Sequence, residues 1–319
     1  MAHPPNPDLS VIIPVRNNPE GLKRCVRALE RQTLPAERFE IIVVDNGSDD
    51  GTLEMAEQLP VRLFTQSHPR TPYAARNRGL KEARGRIIAF TDTHCIPDRA
   101  WLENGMKRLE SEGADLLGGQ VEFTFSERGS AAERFDSLVN LEMKENIARK
   151  GVAKTGNLFA RRDLFSIVGP FREDVRSGGD VEWTGRATRT GFKIVFGPDV
   201  VVYYPARPLI PLLKKMYRVG KGQPEIWRRE SLSGRQMLGR LLYDLRPMLP
   251  GFIRDQIAFR EQKDVPNSMM ALMAVGWSCR LATGAGRLVG LRQLQRGGKR
   301  EGKHLGKREG KQHLEQDAK

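Results

Sequence analysis

The chain reads as an α/β protein with a mostly parallel central sheet, helices on both faces and a basic helical extension, and three observations predict this. Residues 10–15 (SVIIPV) and 40–45 (EIIVVD) are continuous apolar runs of the kind that form strands buried on both faces. Segments with apolar residues at helical spacing separate these and later runs, which gives strand–helix–strand alternation. Residues 1–206 hold 29 basic and 29 acidic side chains, so the whole net charge of +14 sits in residues 207–319, where strand-like runs cease.

Each element follows in order. The first strand, 10–15, should stop at Pro14, and residues 20–32 carry Leu22, Val26 and Leu29 on one helical face. Strand 40–45 is followed by a strand at 61–66, a helix at 72–84 and a strand at 86–90. Crossovers of this kind make the pairing parallel and right-handed. From about residue 114 the pattern is mixed: a strand-like stretch near 114–123, a helix at 131–149, then the segment GVAKTGNLFA (151–160) and a short helix after Arg162. A helix at 180–190 ended by Gly191 and a strand at 198–204 complete it. We place a boundary near Arg207, giving a tail at 1–9, a catalytic domain at 10–207, a basic amphipathic region at 208–295 and a disordered Gly- and Lys-rich tail at 296–319.

Composition excludes several classes. Hydrophobic residues make up 39% and charged residues 29% of the 319, as in ordinary globular chains. Cys25, Cys95 and Cys279 form no C-x-x-C pair, so a disulfide framework or cysteine zinc site is not expected, and a reducing compartment fits. No secretory signal opens the sequence, and the least polar stretch, 265–279, is shorter than the roughly 20 residues that span a bilayer. The first turn, PVRNNPEG, lacks the glycines of a dinucleotide-binding turn, and no phosphate-cradling G-x-x-x-x-G-K-[ST] occurs. The glycines of GAGRLVG (284–290) follow no strand and read as helix spacing.

Two turns carry candidate chemistry. DNGSDDGT (45–52) puts Asp45 at a strand's carboxyl end, where it is either a turn-and-cap acid or an acceptor for a base N–H or ribose hydroxyl. FTDTHCIPDRAW (90–101) puts Asp92 and His94 just past another strand, either as an ordinary turn or as ligands of a divalent ion shared with phosphates. In parallel sheets, ligands bind beyond such strand ends. Asp180, ahead of VEWTGRA, is by itself an acceptable helix N-cap.

The ordered succession SVIIPVRN, IIVVDNGSDDGT, AARNRGLKEARGRIIAFTDTHCIPDRAWLE, KTGNLFARRDLF and GGDVEWTGRATRTGF resembles the family 2 glycosyltransferases, which have a GT-A fold. The resemblance covers residues 10–207. It implies that Pro14, Val15 and Arg16 line the nucleotide pocket, that Asp45 binds base or ribose, and that Arg76 faces the nucleotide. It implies further that Asp92 opens the metal motif, with His94 where a second Asp is usual, and that Gly156 and Asn157 form the turn beside the donor sugar. Asp180 stands for the catalytic base; Gly179 replaces the usual preceding Glu, and Tyr204 replaces a frequent His. The implied activity is inverting transfer from a nucleotide-diphosphate sugar, a UDP-sugar by family weight, with Mn2+ or Mg2+, to a glycan or lipid-linked glycan of the cell envelope. The alternative is an inactive member acting as a membrane scaffold.

In the extension, Lys214, Lys215, Arg218 and Lys221 accompany apolar residues 208–213. Met270, Trp277, Leu281 and Leu288 share one helical face, with Arg280, Thr283 and Arg287 on another. This predicts in-plane attachment to an anionic membrane surface, with the protein cytoplasmic and peripheral on the inner face of the cell membrane, against the plainer reading of helices packed on the catalytic domain. No recognisable nucleic-acid-binding signature is present.

Overall fold

The computed structural model describes residues 5–175, 177–229, 231–259 and 268–316. In chain order the elements are β1 (Leu9–Val15), α1 (Pro19–Leu29), β2 (Phe39–Asp45), α2 (Thr52–Ala56), β3 (Arg62–Thr65), α3 (Pro72–Glu82), β4 (Ile87–Thr91), β5 (Ile96–Pro97), α4 (Trp101–Ser111) and β6 (Leu116–Thr124). They continue with α5 (Ala131–Val139), α6 (Met143–Lys150), β7 (Asn157–Arg161), α7 (Leu164–Ile167), α8 (Gly179–Arg189), β8 (Ile194–Pro205), α9 (Leu209–Arg229), α10 (Gly234–Leu245), α11 (Pro250–Phe259) and α12 (Met269–Gln316). The chain divides into two compact units, Met1–Arg128 with Val139–Ala206, and Gly129–Leu138 with Arg207–Lys319.

Unit 1 is built on an eight-stranded sheet of order β3-β2-β1-β4-β7-β6-β8-β5. β1, β2, β3 and β4 pair in parallel, as their apolar runs predict, and β6 pairs in parallel with β8. The second half departs from the parallel expectation, because β7 lies antiparallel between β4 and β6 and β5 is antiparallel to β8. α5 and α6 lie between β6 and β7 along the chain, so helices between strands do not by themselves make a pair parallel. The predicted single helix at 131–149 is two helices, broken where Leu141 takes φ 55°, and its first part belongs to unit 2. The core of unit 1 joins Ile12, Ile42 and Phe90 from the sheet to Leu22, Trp101 and Trp183 from the helices, all fully buried.

Unit 2 is helical. Its glycines do more than keep helical spacing: an added Cβ at Gly286 would lie 2.1 Å from the Tyr217 carbonyl oxygen, and one at Gly220 2.2 Å from that of Thr283. The α9 and α12 backbones therefore touch where only hydrogen fits. Asp136, fully buried, is held by Arg207 at 3.2 Å and Lys215 at 3.6 Å. On the α12 face that carries Arg280, Thr283 and Arg287, Thr283 is buried, and Arg287 donates to Asp244 at 2.5 Å and Gln223 at 2.6 Å over the Trp227 ring. Arg280 covers the Tyr243 ring and donates to the Arg246 and Pro247 carbonyls. The backbone of residues 296–316, expected as a structureless tail, continues α12, in keeping with its many helix-forming Lys, Arg, Glu and Gln residues. Residues 317–319 of that expected tail, and 1–4 of the expected N-terminal tail, lie outside the described residues.

Candidate active site

The register brings the two acidic turns together. Val15 pairs with Asp45, and Ile12 with Phe90, so Asp92, two residues beyond Phe90, falls level with Pro14. Asp45 and Asp92 thus stand on either side of β1, two strand spacings or roughly 10 Å apart at the backbone. Between β1 and β4 the strand order reverses, which opens a crevice at this edge of the sheet.

Asp45 is buried. Its Oδ2 accepts the backbone N–H groups of Gly47 at 2.9 Å and Ser48 at 3.0 Å, while Oδ1 is buried without a hydrogen-bond partner, as is Asn46 Oδ1. Buried polar atoms are nearly always paired, so two open acceptors at the end of β2 mark where a ligand's N–H or O–H groups would fit. The β1 turn is clamped to both acidic turns. Asn17 donates to Asp49 at 2.6 Å, and the Asn18 side chain caps α1 at Gly21 while donating to Thr93 at 2.8 Å. Val15 is buried and its carbonyl accepts from Asn46; Pro14 is half-buried and Arg16 exposed beside them.

A second chain of contacts joins Asp92 to Asp180. Arg76, 4% exposed on α3, donates to Asp92 Oδ1 at 2.5 Å and lies over the Tyr73 ring, 5.6 Å from its centroid. Tyr73 Oη donates to Asp180 Oδ1 at 3.3 Å, and the Thr155 N–H reaches Asp180 Oδ2 at 3.4 Å. Burial, and then the Asp180 charge, push the Tyr73 phenol well above its ordinary value of 10.0, so it remains a donor. Gly179 fits this arrangement: a Cβ there would stand 2.9 Å from Tyr73 Cε2 and Cζ. Tyr73 occupies the room that a side chain at 179 would need. Arg76 Nε is a further buried atom with no partner.

Gly156 precedes β7, which pairs Asn157 with Thr91, so it stands next to Asp92; a Cβ on it would lie 3.7 Å from Asp92 Oδ2. Asn157, expected with Gly156 in the turn beside the donor sugar, is the first residue of β7. It is fully buried, accepts from Trp101 Nε1 at 2.8 Å, and donates to the Gln120 and Val200 carbonyls at 2.8 Å each. Those three bonds engage both ends of its amide inside the sheet.

His94 is exposed, with Nδ1 3.4 Å from the Asn18 amide nitrogen and its ring 6.4 Å from that of Tyr204. Among the described residues no group of three or more His, Cys, Asp or Glu side chains is placed to hold a metal ion. Asp92 is 37% exposed with Oδ1 already on Arg76. This donor set fits a hard cation that takes most of its shell from phosphate and water, and does not fit an all-protein metal cage. The residues that sequence reasoning missed are Asn18, Asn46 and Tyr73. Asn18 had a signal, an N-cap residue directly before Pro19; Tyr73 had none.

With the geometry in hand, comparison with known proteins is direct. Residues 10–165 match the family model described as Glycosyl transferase family 2. The chain is 43% identical over 290 residues to the glycosyltransferase AglE of Haloferax volcanii, covering 88% of this chain and 95% of that protein. Among solved structures, the mannosyltransferase PcManGT from Pyrobaculum calidifontis in complex with GDP-Man and Mn2+ superposes with a TM-score of 0.60 at 21% identity, over 90% of this chain and 87% of that one. The Staphylococcus aureus TarS fragment 1-349 in complex with UDP gives a TM-score of 0.52 at 20% identity, over 90% and 91%. These two likenesses establish the GT-A fold.

Proposed function

This chain belongs to glycosyl transferase family 2 and is a glycosyltransferase, and we propose that its site moves a sugar from a nucleoside-diphosphate sugar to a hydroxyl acceptor with inversion. The observation that carries the reading is the continuous line Asp92–Arg76–Tyr73–Asp180 beside the open Asp45 carboxylate oxygen. It draws acids from distant parts of the chain into one place.

Asp180 acts as the base. The acceptor oxygen forms its bond to the anomeric carbon as the bond from that carbon to the diphosphate breaks; the acceptor proton passes to Asp180 and the diphosphate leaves with the electron pair. Tyr73 and the Thr155 N–H hold the Asp180 carboxylate for that proton. Arg76 presents fixed positive charge near the leaving group, and Asp45 with Asn46 reads the base or ribose. Asp92 and His94 would hold a divalent cation, Mn2+ or Mg2+, which when bound neutralises charge on the diphosphate. The expected UDP-sugar donor is widened to nucleoside-diphosphate sugars, since one structural relative holds GDP-Man and another UDP. The acceptor is read as a lipid-linked glycan at the inner face of the membrane, supported by the apolar face of unit 2 treated below.

The test is nucleotide release from the full chain, incubated with a panel of nucleoside-diphosphate sugars and membrane extract, with and without Mn2+. Asp180→Asn should slow turnover by about a thousandfold while nucleotide affinity holds. Asp92→Ala should abolish the response to Mn2+. If both variants turn over like wild type the reading fails, and saturable donor binding without turnover would leave a binding role instead.

A further inference from the structure

We propose that unit 2 docks in the plane of an anionic lipid bilayer through an apolar face formed by α10, α11 and α12, braced by the bonds of Arg280 and Arg287 within the unit. The proposal uses no residue of the transfer site, so either can fail alone.

Exposed large side chains stand at Leu238, Leu242 and Leu245 on α10, at Leu249 in the turn that follows, and at Phe252 on α11. The three on α10 are spaced four and three residues apart, the interval that keeps side chains on one helical stripe. On α12, Met270, Trp277, Leu281 and Leu288 follow at intervals of seven, four and seven residues, which also keep one helical face, and are exposed as well, Met270 by 79%; Leu249 before α11 is exposed by 68%. The stripes meet, because Trp277 Nε1 donates to the Leu245 carbonyl at 3.2 Å. A helix normally buries its apolar stripe and shows its polar one. Here Thr283 is buried and Arg287 is bonded to Asp244, while Leu281 and Leu288 of the same helix stay exposed, which leaves an apolar stripe open to a hydrophobic partner.

Charge selects the partner. The exposed ionised residues of 234–258 are Arg235, Arg240, Arg246 and Arg254 against a single acid, Asp255. A second copy of the chain, packed through the same face about a two-fold axis, would set these arginines against themselves. Anionic headgroups complement them while acyl chains take the leucines. Among the described residues no helix is long and apolar enough to cross a membrane, so the face lies on the bilayer rather than through it.

Tryptophan provides the readout. Trp101, Trp183 and Trp227 are buried and Trp277 is 41% exposed, so emission from one residue reports the interface. The full chain is mixed with vesicles of equal phosphatidylglycerol and phosphatidylcholine, or of phosphatidylcholine alone, and followed by flotation and by quenching from brominated acyl chains. The anionic vesicles should float the protein and quench its emission, and Trp277→Phe should remove the quenching. Leu242→Glu with Leu249→Glu should lower the floated fraction at least tenfold with helicity and nucleotide affinity kept. Raising salt from about 0.1 to 0.5 M should weaken binding. Failure to float, variants that float like wild type, or unquenched Trp277 would each overturn the proposal. So would a dimer seen by light scattering without lipid that the double variant dissociates.

Discussion

Strand β2 carries a buried acid at each end, and the two live in opposite circumstances. Glu40, at the start, is 1% exposed and fully served: Ser10 Oγ and the Arg84 N–H donate to Oε1 at 2.6 and 2.7 Å, and Arg62 donates to Oε2 at 2.5 Å. Asp45, at the finish, is almost as buried, yet one of its oxygens has no partner. The same contrast separates the sheet's two edges. Where β2 begins, a carboxylate ties strands to one another; where it ends, a buried carboxylate oxygen is left without a partner. Burial alone does not separate the two acids; the count of partners does.

Removing the served acid should have the largest effect. Glu40→Ala breaks a buried pair, leaving Arg62, 12% exposed, with Glu82 alone and Ser10 Oγ and the Arg84 N–H without their acceptor, so unfolding free energy should fall by about 3 kcal/mol in a urea titration. Nucleotide affinity of the folded fraction should not change. A loss of affinity without a loss of stability would dissolve the distinction between the edges. Asn157→Ala comes next. It leaves the Trp101 indole N–H and the Gln120 and Val200 carbonyls unpaired in the core, which should lower stability by about 3 kcal/mol. If instead the sugar-dependent part of donor affinity drops with stability intact, Asn157 serves the donor sugar rather than the sheet.

Asp45→Asn probes the finishing edge. The substitution keeps size and the turn but exchanges a charged acceptor for a neutral amide, so nucleotide affinity should fall by about 10- to 100-fold. The urea midpoint should move little. Calorimetric titration with UDP and GDP measures the first, and an unchanged affinity for both would remove Asp45 from the site.

Much of this was legible in the sequence for a plain reason. Apolar runs such as SVIIPV and EIIVVD have few alternatives to a doubly buried strand, and acids directly after such runs must emerge at the sheet's carboxyl edge. What escaped depended on distant partners. The antiparallel placement of β7 is set by its neighbours, not by the apolar run itself. The role of Gly179 required knowing that Tyr73, over a hundred residues earlier, packs against it. Helical periodicity sorted α12 into an apolar and a polar face, but periodicity has no sign: it cannot say which face looks inward. Asp244, Gln223 and Trp227 decided that for Arg287.

Tyr73 gives the smallest and most specific test, because it joins the two acids of the finishing edge without being either. Its phenol is buried under Arg76 and next to Asp180, and both burial and that negative charge favour the neutral form, with Arg76 opposing them. The folded state therefore holds this proton more tightly than the unfolded chain, where the ordinary value is 10.0. For a raised group, the stabilising contribution is complete below the unfolded value and drains away as pH climbs through it towards the folded one. Between pH 10 and 11, wild type should thus lose about 1 kcal/mol more stability than Tyr73→Phe, which has no proton to surrender. At pH 7 the same variant gives up a long hydrogen bond, 3.3 Å, to Asp180 and should be destabilised by only about 0.5 to 1 kcal/mol. Urea titrations of both proteins at pH 7, 10 and 11 measure this. Parallel pH profiles would mean that Tyr73 Oη is in water and that the line from Asp92 to Asp180 is broken at its middle.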